Sequence, residues 1–159
     1  MKQIEILTKV KVARYDELTD AQRAAVDRAK FNTTKSYCPH SHFQVGAALE
    51  LEDGRLIDGA NQENAAFPSG LCAERSALFA AGAIAPEQPI VRLAIACYTK
   101  GAFLSTPGSP CGACRQVMVE SEERSRRPME VILYGENECY IVPSAKDLLP
   151  LSFDGTVLD

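Results

Sequence analysis

The chain is 159 residues long, 46% hydrophobic and 24% charged, which fits one globular domain that folds without staples. A net charge of −4 and a pI near 5.3 argue against a basic nucleic-acid-binding face, and no apolar run is long enough to cross a bilayer. The first residues alternate polar and apolar instead of forming a signal peptide's apolar stretch, so a cytoplasmic, reducing location is expected and the six cysteines read as thiols or metal ligands.

In chain order, residues 3–14 carry Ile4, Ile6, Thr8, Val10 and Val12 against mostly polar neighbours, the period of a half-buried strand. Thr19 or Asp20 caps a helix expected to run to about Lys35, and Pro39 closes that region. Residues 42–51 and 55–61 read as two strands around the turn Glu52-Asp53-Gly54. A loop at 68–70 leads into an alanine-rich helix from Cys72 to about Ile84, and a strand is expected at 90–98. The stretch 100–110 reads as a loop rich in Gly, Pro and Ser. A second helix spans about 112–123, strands follow at 130–135 and 139–142, and a short helix lies near 144–149. The basic run Arg124 to Arg127 follows Glu120, Glu122 and Glu123 and reads as a mixed solvated surface. Strands and helices interleave without repeat or linker, which predicts one α/β layered domain.

Two helix starts carry the chemistry. One is Cys72-Ala73-Glu74-Arg75, and the other is Pro110-Cys111-Gly112-Ala113-Cys114. A lone CxxC is a weak signal, shared with thioredoxin-like redox sites. A third cysteine with a carboxylate two residues away changes the reading. Three thiolates fit a catalytic zinc, which keeps its fourth position open for water, and Glu74 stands beside the metal as a general base and not a ligand. Three thiolates on Zn²⁺ leave a net −1, which makes bound water less acidic. Two helix N-termini, each worth roughly half a positive charge, and the Arg75 guanidinium offset this. A structural zinc closed by Cys97 or Cys139 is the competing reading. His40 and His42 read as ordinary packing or surface residues, and Cys38, Cys97 and Cys139, which lack partners at ligand spacing, read most simply as buried thiols.

The CAE…PCxxC pattern is that of zinc deaminases with three cysteines. SYCPHSHFQVGAAL (36–49), DGRLIDGANQENAAFPSGLCAERSAL (53–78), SPCGACRQVM (109–118) and DLLPLSF (147–153) resemble the small cytidine deaminases of pyrimidine salvage over about residues 20–153. The resemblance implies a three-layer α/β/α sandwich on a mixed five-stranded sheet, to which residues 1–15 add an extra N-terminal strand within one domain, 1–159. It implies one zinc per subunit and a homotetramer with sites shared between subunits. It places Phe43 on the base, Asn61 and Glu63 on the ribose hydroxyls, and the Ala73 backbone with Glu74 on the pyrimidine edge. Ala65, Phe67 and Phe153 would reach sites of neighbouring subunits. An aromatic face suits a flat base, and a carboxylate with an amide suits a vicinal diol. The sequence departs from the family at Phe67 and His40, where tyrosine is common, and both departures bear on the sugar. The expected reaction is conversion of cytidine and deoxycytidine to uridine and deoxyuridine with loss of ammonia. The same chemistry on a cytosine-containing antibiotic such as blasticidin S, polynucleotide editing and a purely structural zinc domain are the alternatives.

Overall fold

A computed structural model describes residues 1–155 and residue 158. Seven strands form one mixed sheet: β1 (Lys11–Ala13), β2 (Gln44–Leu51), β3 (Leu56–Ala60), β4 (Ile90–Thr99), β5 (Ala102–Phe103), β6 (Glu130–Tyr134) and β7 (Cys139–Val142). The order is β1-β7-β6-β4-β2-β3, with β5 folded back on the end of β4. The β4–β6 pair is parallel and every other pair is antiparallel. The parallel pair is the one that requires a long crossover, and helix α3 (Gly112–Ser125) supplies it. Without the three-residue β1 and the two-residue β5, the five expected strands remain.

The sheet is covered on both faces because its central strands are apolar at both parities. Ala48, Ala94, Ala96, Ile132 and Tyr134 face helix α1 (Asp20–Asn32), which contributes Ala25, Val26 and Ala29. Ala47, Leu49, Leu93, Ile95, Val131 and Leu133 face helix α2 (Ala73–Ile84) and α3. The first face is alanine-rich on both sides, so α1 packs close: a Cβ at Gly46 would lie 2.1 Å from the Ala29 carbonyl oxygen. Thr19 and Gln22 cap α1 reciprocally, each side chain meeting the other's backbone N–H.

Three expectations are corrected here. The strand over 3–14 is realised only at 11–13, because β7, its partner, is four residues long and offers no further ladder. The α-helix expected to reach Lys35 ends at Asn32, and a 3-10 turn spans Thr33–Lys35, with the Ser36 N–H bonded to Thr33 O. The loop 100–110 contains β5, formed when Gly101 (φ 84°) and Lys100 (φ 52°) reverse the chain.

Two charged groups, one buried and one half-buried, lock the elements. Glu122, 4% exposed, accepts hydrogen bonds from the Met129, Ala145 and Lys146 N–H groups and from the Ser144 hydroxyl, so it ties α3 to the turn at Ala145–Leu148. Asp58 on β3 receives Arg28 and Lys35 in ion pairs and the Asn32 amide at 2.9 Å. Burial works against its charge, but these three donors outweigh it and hold the carboxyl well below the ordinary range. A depressed folded-state pKa contributes stability that is complete above the unfolded value, near 4, and is lost as pH falls below it. Asp58→Asn is therefore expected to lower stability at pH 7 by about 1–3 kcal/mol and to flatten the loss below pH ~4. Urea unfolding from pH 3 to 7 reads both effects.

Gly59 fixes where α2 sits. A Cβ there would lie 2.2 Å from the Ala73 carbonyl oxygen and 2.7 Å from the Ala77 Cβ. Both are fixed parts of the helix that begins beside Cys72, so Gly59→Ala must displace that helix start. Overpacking of this kind costs about 1–3 kcal/mol. Urea unfolding together with metal content is expected to show a loss in both.

Candidate active site

Cys72 is the residue preceding α2 and Cys111 the residue preceding α3, each in extended backbone conformation at its helix N-terminus. Cys114 follows on the first turn of α3 and is fully buried. The two helices lie side by side on one face of the sheet, so their starts bring the three thiols together. The Cys72 and Cys111 sulfurs are 3.8 Å apart, those of Cys111 and Cys114 3.4 Å, and all three lie within 4.8 Å of one another.

These residues fit zinc. A tetrahedron with Zn–S bonds of about 2.3 Å has edges of about 3.8 Å, close to the sulfur separations found. Thiolate is also the donor set that zinc accepts. Among the described residues no fourth ligand joins the group; Cys97 and Cys139 lie outside it, as do both histidines. Cys97 is buried instead on β4, where burial and then the nearby Glu74 charge push its thiol up to about 12.

The electrostatics favour thiolate at Cys72. Cys72 is drawn down to about 5, first by hydrogen bonding with Cys114 and then by Arg75, against the effect of burial. Cys114 is pushed up in return by Cys72 and by burial. The Arg75 guanidinium lies 3.6 Å from the Cys72 sulfur. Its Nε is buried without a hydrogen-bond partner among the described residues. Glu74, in the first turn of α2, is 4% exposed, and desolvation raises its pKa above the ordinary carboxyl value. It is a carboxyl able to hold a proton beside the sulfur cluster.

A cleft of about 560 Å³ opens on this centre, lined among others by His40, Asn61, Glu63, Phe67, Cys72 and Arg75. Asn61 follows β3, and its amide bridges the start of β2: Oδ1 accepts from the Val45 N–H at 2.8 Å and Nδ2 donates to the Phe43 carbonyl at 2.9 Å. Glu63 Oε2 accepts from the His40 and Ser41 N–H groups at 2.8 and 3.2 Å. With the Ser41 contacts foremost, these donors keep the carboxylate charged. Phe43 is half-buried against the α2–α3 core, and the left-handed His42 (φ 55°) sets its approach. Ala73 is fully buried and Ala65 exposed. Phe67 and Phe153 are 75% and 61% exposed. Phe67 meets His40 edge to face at 5.7 Å, whereas the Phe153 carbonyl is held by Gln116 on α3. The cleft thus gathers Asn61, Glu63 and Phe67 beside Cys72, whereas Phe43, Ala65, Ala73, Glu74 and Phe153 do not line it.

Two supporting groups, Arg115 and Ser41, lie inside the family-like segments, but their spacing gives no sign of their roles. Arg115 donates from Nε to the Pro110 carbonyl and from Nη1 to the Leu148 carbonyl, clamping the loop before Cys111 to the C-terminal turn. Ser41 supplies a backbone N–H to Glu63, and its hydroxyl accepts from the Phe43 N–H. Arg115 stands one residue after the CxxC pair, but its partners are carbonyls, which leave no side-chain signature.

Taken together, a three-layer α/β/α fold carries a thiol triad that could hold a metal at two adjacent helix N-termini, with a buried acid at its side. Residues 19–127 match the cytidine and deoxycytidylate deaminase zinc-binding region, and the chain belongs to that family. It is 49% identical over 85 residues to the cytidine deaminase of Halalkalibacterium halodurans, covering 54% of this chain and 60% of that protein. A probable cytidine deaminase of Dictyostelium discoideum is 31% identical over 125 residues, 79% of this chain and 78% of its own. The matched part spans about three fifths of the first bacterial relatives, 60% and 59% of their length. A crystal structure of cytidine deaminase from Burkholderia pseudomallei superposes with a TM-score of 0.72 at 39% identity, covering 86% of this chain and all of that one.

Proposed function

We propose that this protein is a zinc-dependent cytidine deaminase that converts free cytidine and deoxycytidine to uridine and deoxyuridine, releasing ammonia. The observation that carries the reading is the convergence of three thiols at zinc-like spacing beside a buried carboxyl and an open cleft. Cys72, Cys111 and Cys114 would hold one zinc per chain. When bound, zinc supplies a water acidic enough to act as nucleophile at neutral pH. With zinc bound, Glu74 would take the proton released as water adds to C4 of the cytosine and deliver it to the ring nitrogen; it would then carry the C4 hydroxyl proton to the exocyclic amine, which leaves as ammonia. Phe43 stacks on the base, and the Ala73 backbone with Glu74 reads its edge. Asn61 and Glu63 meet the sugar hydroxyls. Asn61 holds its amide with Phe43 and Val45, and Glu63 has an oxygen besides the one bound to His40 and Ser41.

The one-domain reading of 1–159, the cytoplasmic location and the homotetramer belong to the same proposal. Phe67 and Phe153 are large apolar side chains left exposed on the single chain, consistent with cover from, or reach into, neighbouring subunits together with Ala65. No described helix is long and apolar enough to cross a membrane. The absence of a fourth ligand among the described residues disfavours the structural-zinc alternative.

The test is turnover of a substrate panel by zinc-loaded protein, followed by absorbance and ammonia release. Cytidine and deoxycytidine are expected to be consumed, with blasticidin S and cytosine-containing oligonucleotides untouched. No turnover of either nucleoside, or a preference for the antibiotic, overturns the assignment.

A further inference from the structure

Residues 3–12 have a strand's period but only a short strand's partner. Ile4, Ile6, Thr8, Val10 and Val12 fall on one face, with Gln3, Glu5, Leu7, Lys9 and Lys11 on the other. Within one chain the ladder covers only Lys11–Ala13 against β7, and the hydrogen bond that anchors the arm further out runs from the Thr8 hydroxyl to the Asp147 carbonyl at 2.9 Å. The apolar row stays in water: Ile4 is 77% exposed, Ile6 53%, Val10 43% and Val12 60%. Val12 lies opposite Tyr140, which packs against the α2–α3 core, so the row continues that face of the sheet beyond its edge. Because β1 ends the strand order, its outer edge carries no described strand. An amphipathic edge of this kind is a template for another chain.

The composition of the arm identifies that chain, because the segment is complementary to itself read backwards. In an antiparallel pair about a two-fold axis at Thr8, Thr8 meets its own copy, Ile6 meets Val10, Ile4 meets Val12 and Glu5 meets Lys11. Two-fold symmetry makes every unlike pair occur twice. Opposite charges, β-branched apolar pairs and Thr–Thr are the cross-strand combinations that stabilise antiparallel sheets. A shift of the axis to Ile6 places Glu5 against Leu7 and Ile4 against Thr8, which removes the charge pair and breaks the apolar match.

We propose that residues 3–13 form an edge strand that pairs antiparallel with the same segment of a second copy, joining two sheets across a two-fold axis at Thr8. The arm lies outside the residues matched to the family, 19–127. The inference therefore does not depend on the reaction proposed above.

Cross-linking of the full chain tests it. Directly opposed residues of an antiparallel pair have Cα atoms about 4.5–5.5 Å apart, inside the range a disulfide spans. Under mild oxidation Thr8→Cys is expected to give a covalent dimer, with the disulfide mapped by mass spectrometry to position 8 of both chains. Ile4→Cys is expected to give none, since its copy would lie eight positions away along the strand. In the Thr8→Cys background, Glu5→Lys or Lys11→Glu alone is expected to lower the yield about tenfold. The double reversal is expected to restore it. No linkage at position 8, equal linkage at position 4, or charge reversals without effect and without rescue overturn the proposal.

Discussion

Replacing Glu74 with glutamine is expected to lower kcat for cytidine by about 10²–10⁴-fold while the protein still binds one zinc per chain. Glutamine has the size of glutamate and can still accept a hydrogen bond, but it cannot take up and return the proton. Glu74 is 4% exposed in the first turn of α2, held between the helix and the core, so the substitution leaves the packing intact. Burial first and the neighbouring Cys72 charge after it disfavour the Glu74 carboxylate, so the uncharged variant is expected to fold at least as well as its parent. Steady-state kinetics with metal analysis separates the possibilities. Near-parental turnover excludes the proton-transfer role, and loss of zinc would make Glu74 a metal ligand.

Cys114→Ser should abolish the metal site itself. Cys114 is the fully buried member of the triad, 3.4 Å from the Cys111 sulfur. A serine hydroxyl in its place does not ionise near neutral pH and leaves only two thiols facing the metal. Zinc is expected to fall to a small fraction of one per chain after dialysis. Turnover should fall with it by on the order of 10³-fold or more, because the nucleophile is no longer activated. Metal binding adds its free energy to folding, so the variant should also unfold at lower temperature than the zinc-loaded parent and match the parent stripped by a chelator. Thermal unfolding with and without chelator measures this. A variant that keeps both metal and activity would contradict the three-thiol assignment.

The parts of this site that were legible in the sequence are those whose geometry is local. Cys111 and Cys114 share one helical turn, and the Cys72-to-Arg75 segment shares another, so spacing alone predicts which side chains face the same way. The layered α/β fold was legible too, because β2, β4 and β6 are apolar at both parities and the helices between them are long. Contacts made across the chain were not legible. Arg115 finds the Leu148 carbonyl, and Glu122 finds the N–H groups of Ala145 and Lys146; backbone partners so distant leave no trace in composition. Asn61 is expected at the end of the 55–61 strand and, by resemblance, on the sugar, but nothing in its spacing shows that its amide closes the gap between β3 and the start of β2. The N-terminal segment fails in the opposite way: its period is that of a long strand, but a strand forms only where a partner lies alongside, and β7 is too short to provide one.

The most direct measurement is X-ray absorption at the zinc edge of the loaded protein. Three sulfurs at about 2.3 Å and one lighter atom are expected, the lighter atom being exchangeable water that a nucleoside analogue perturbs. Four sulfurs, or a shell that a bound nucleoside leaves unchanged, would contradict a catalytic centre built on Cys72, Cys111 and Cys114 with Glu74 beside it.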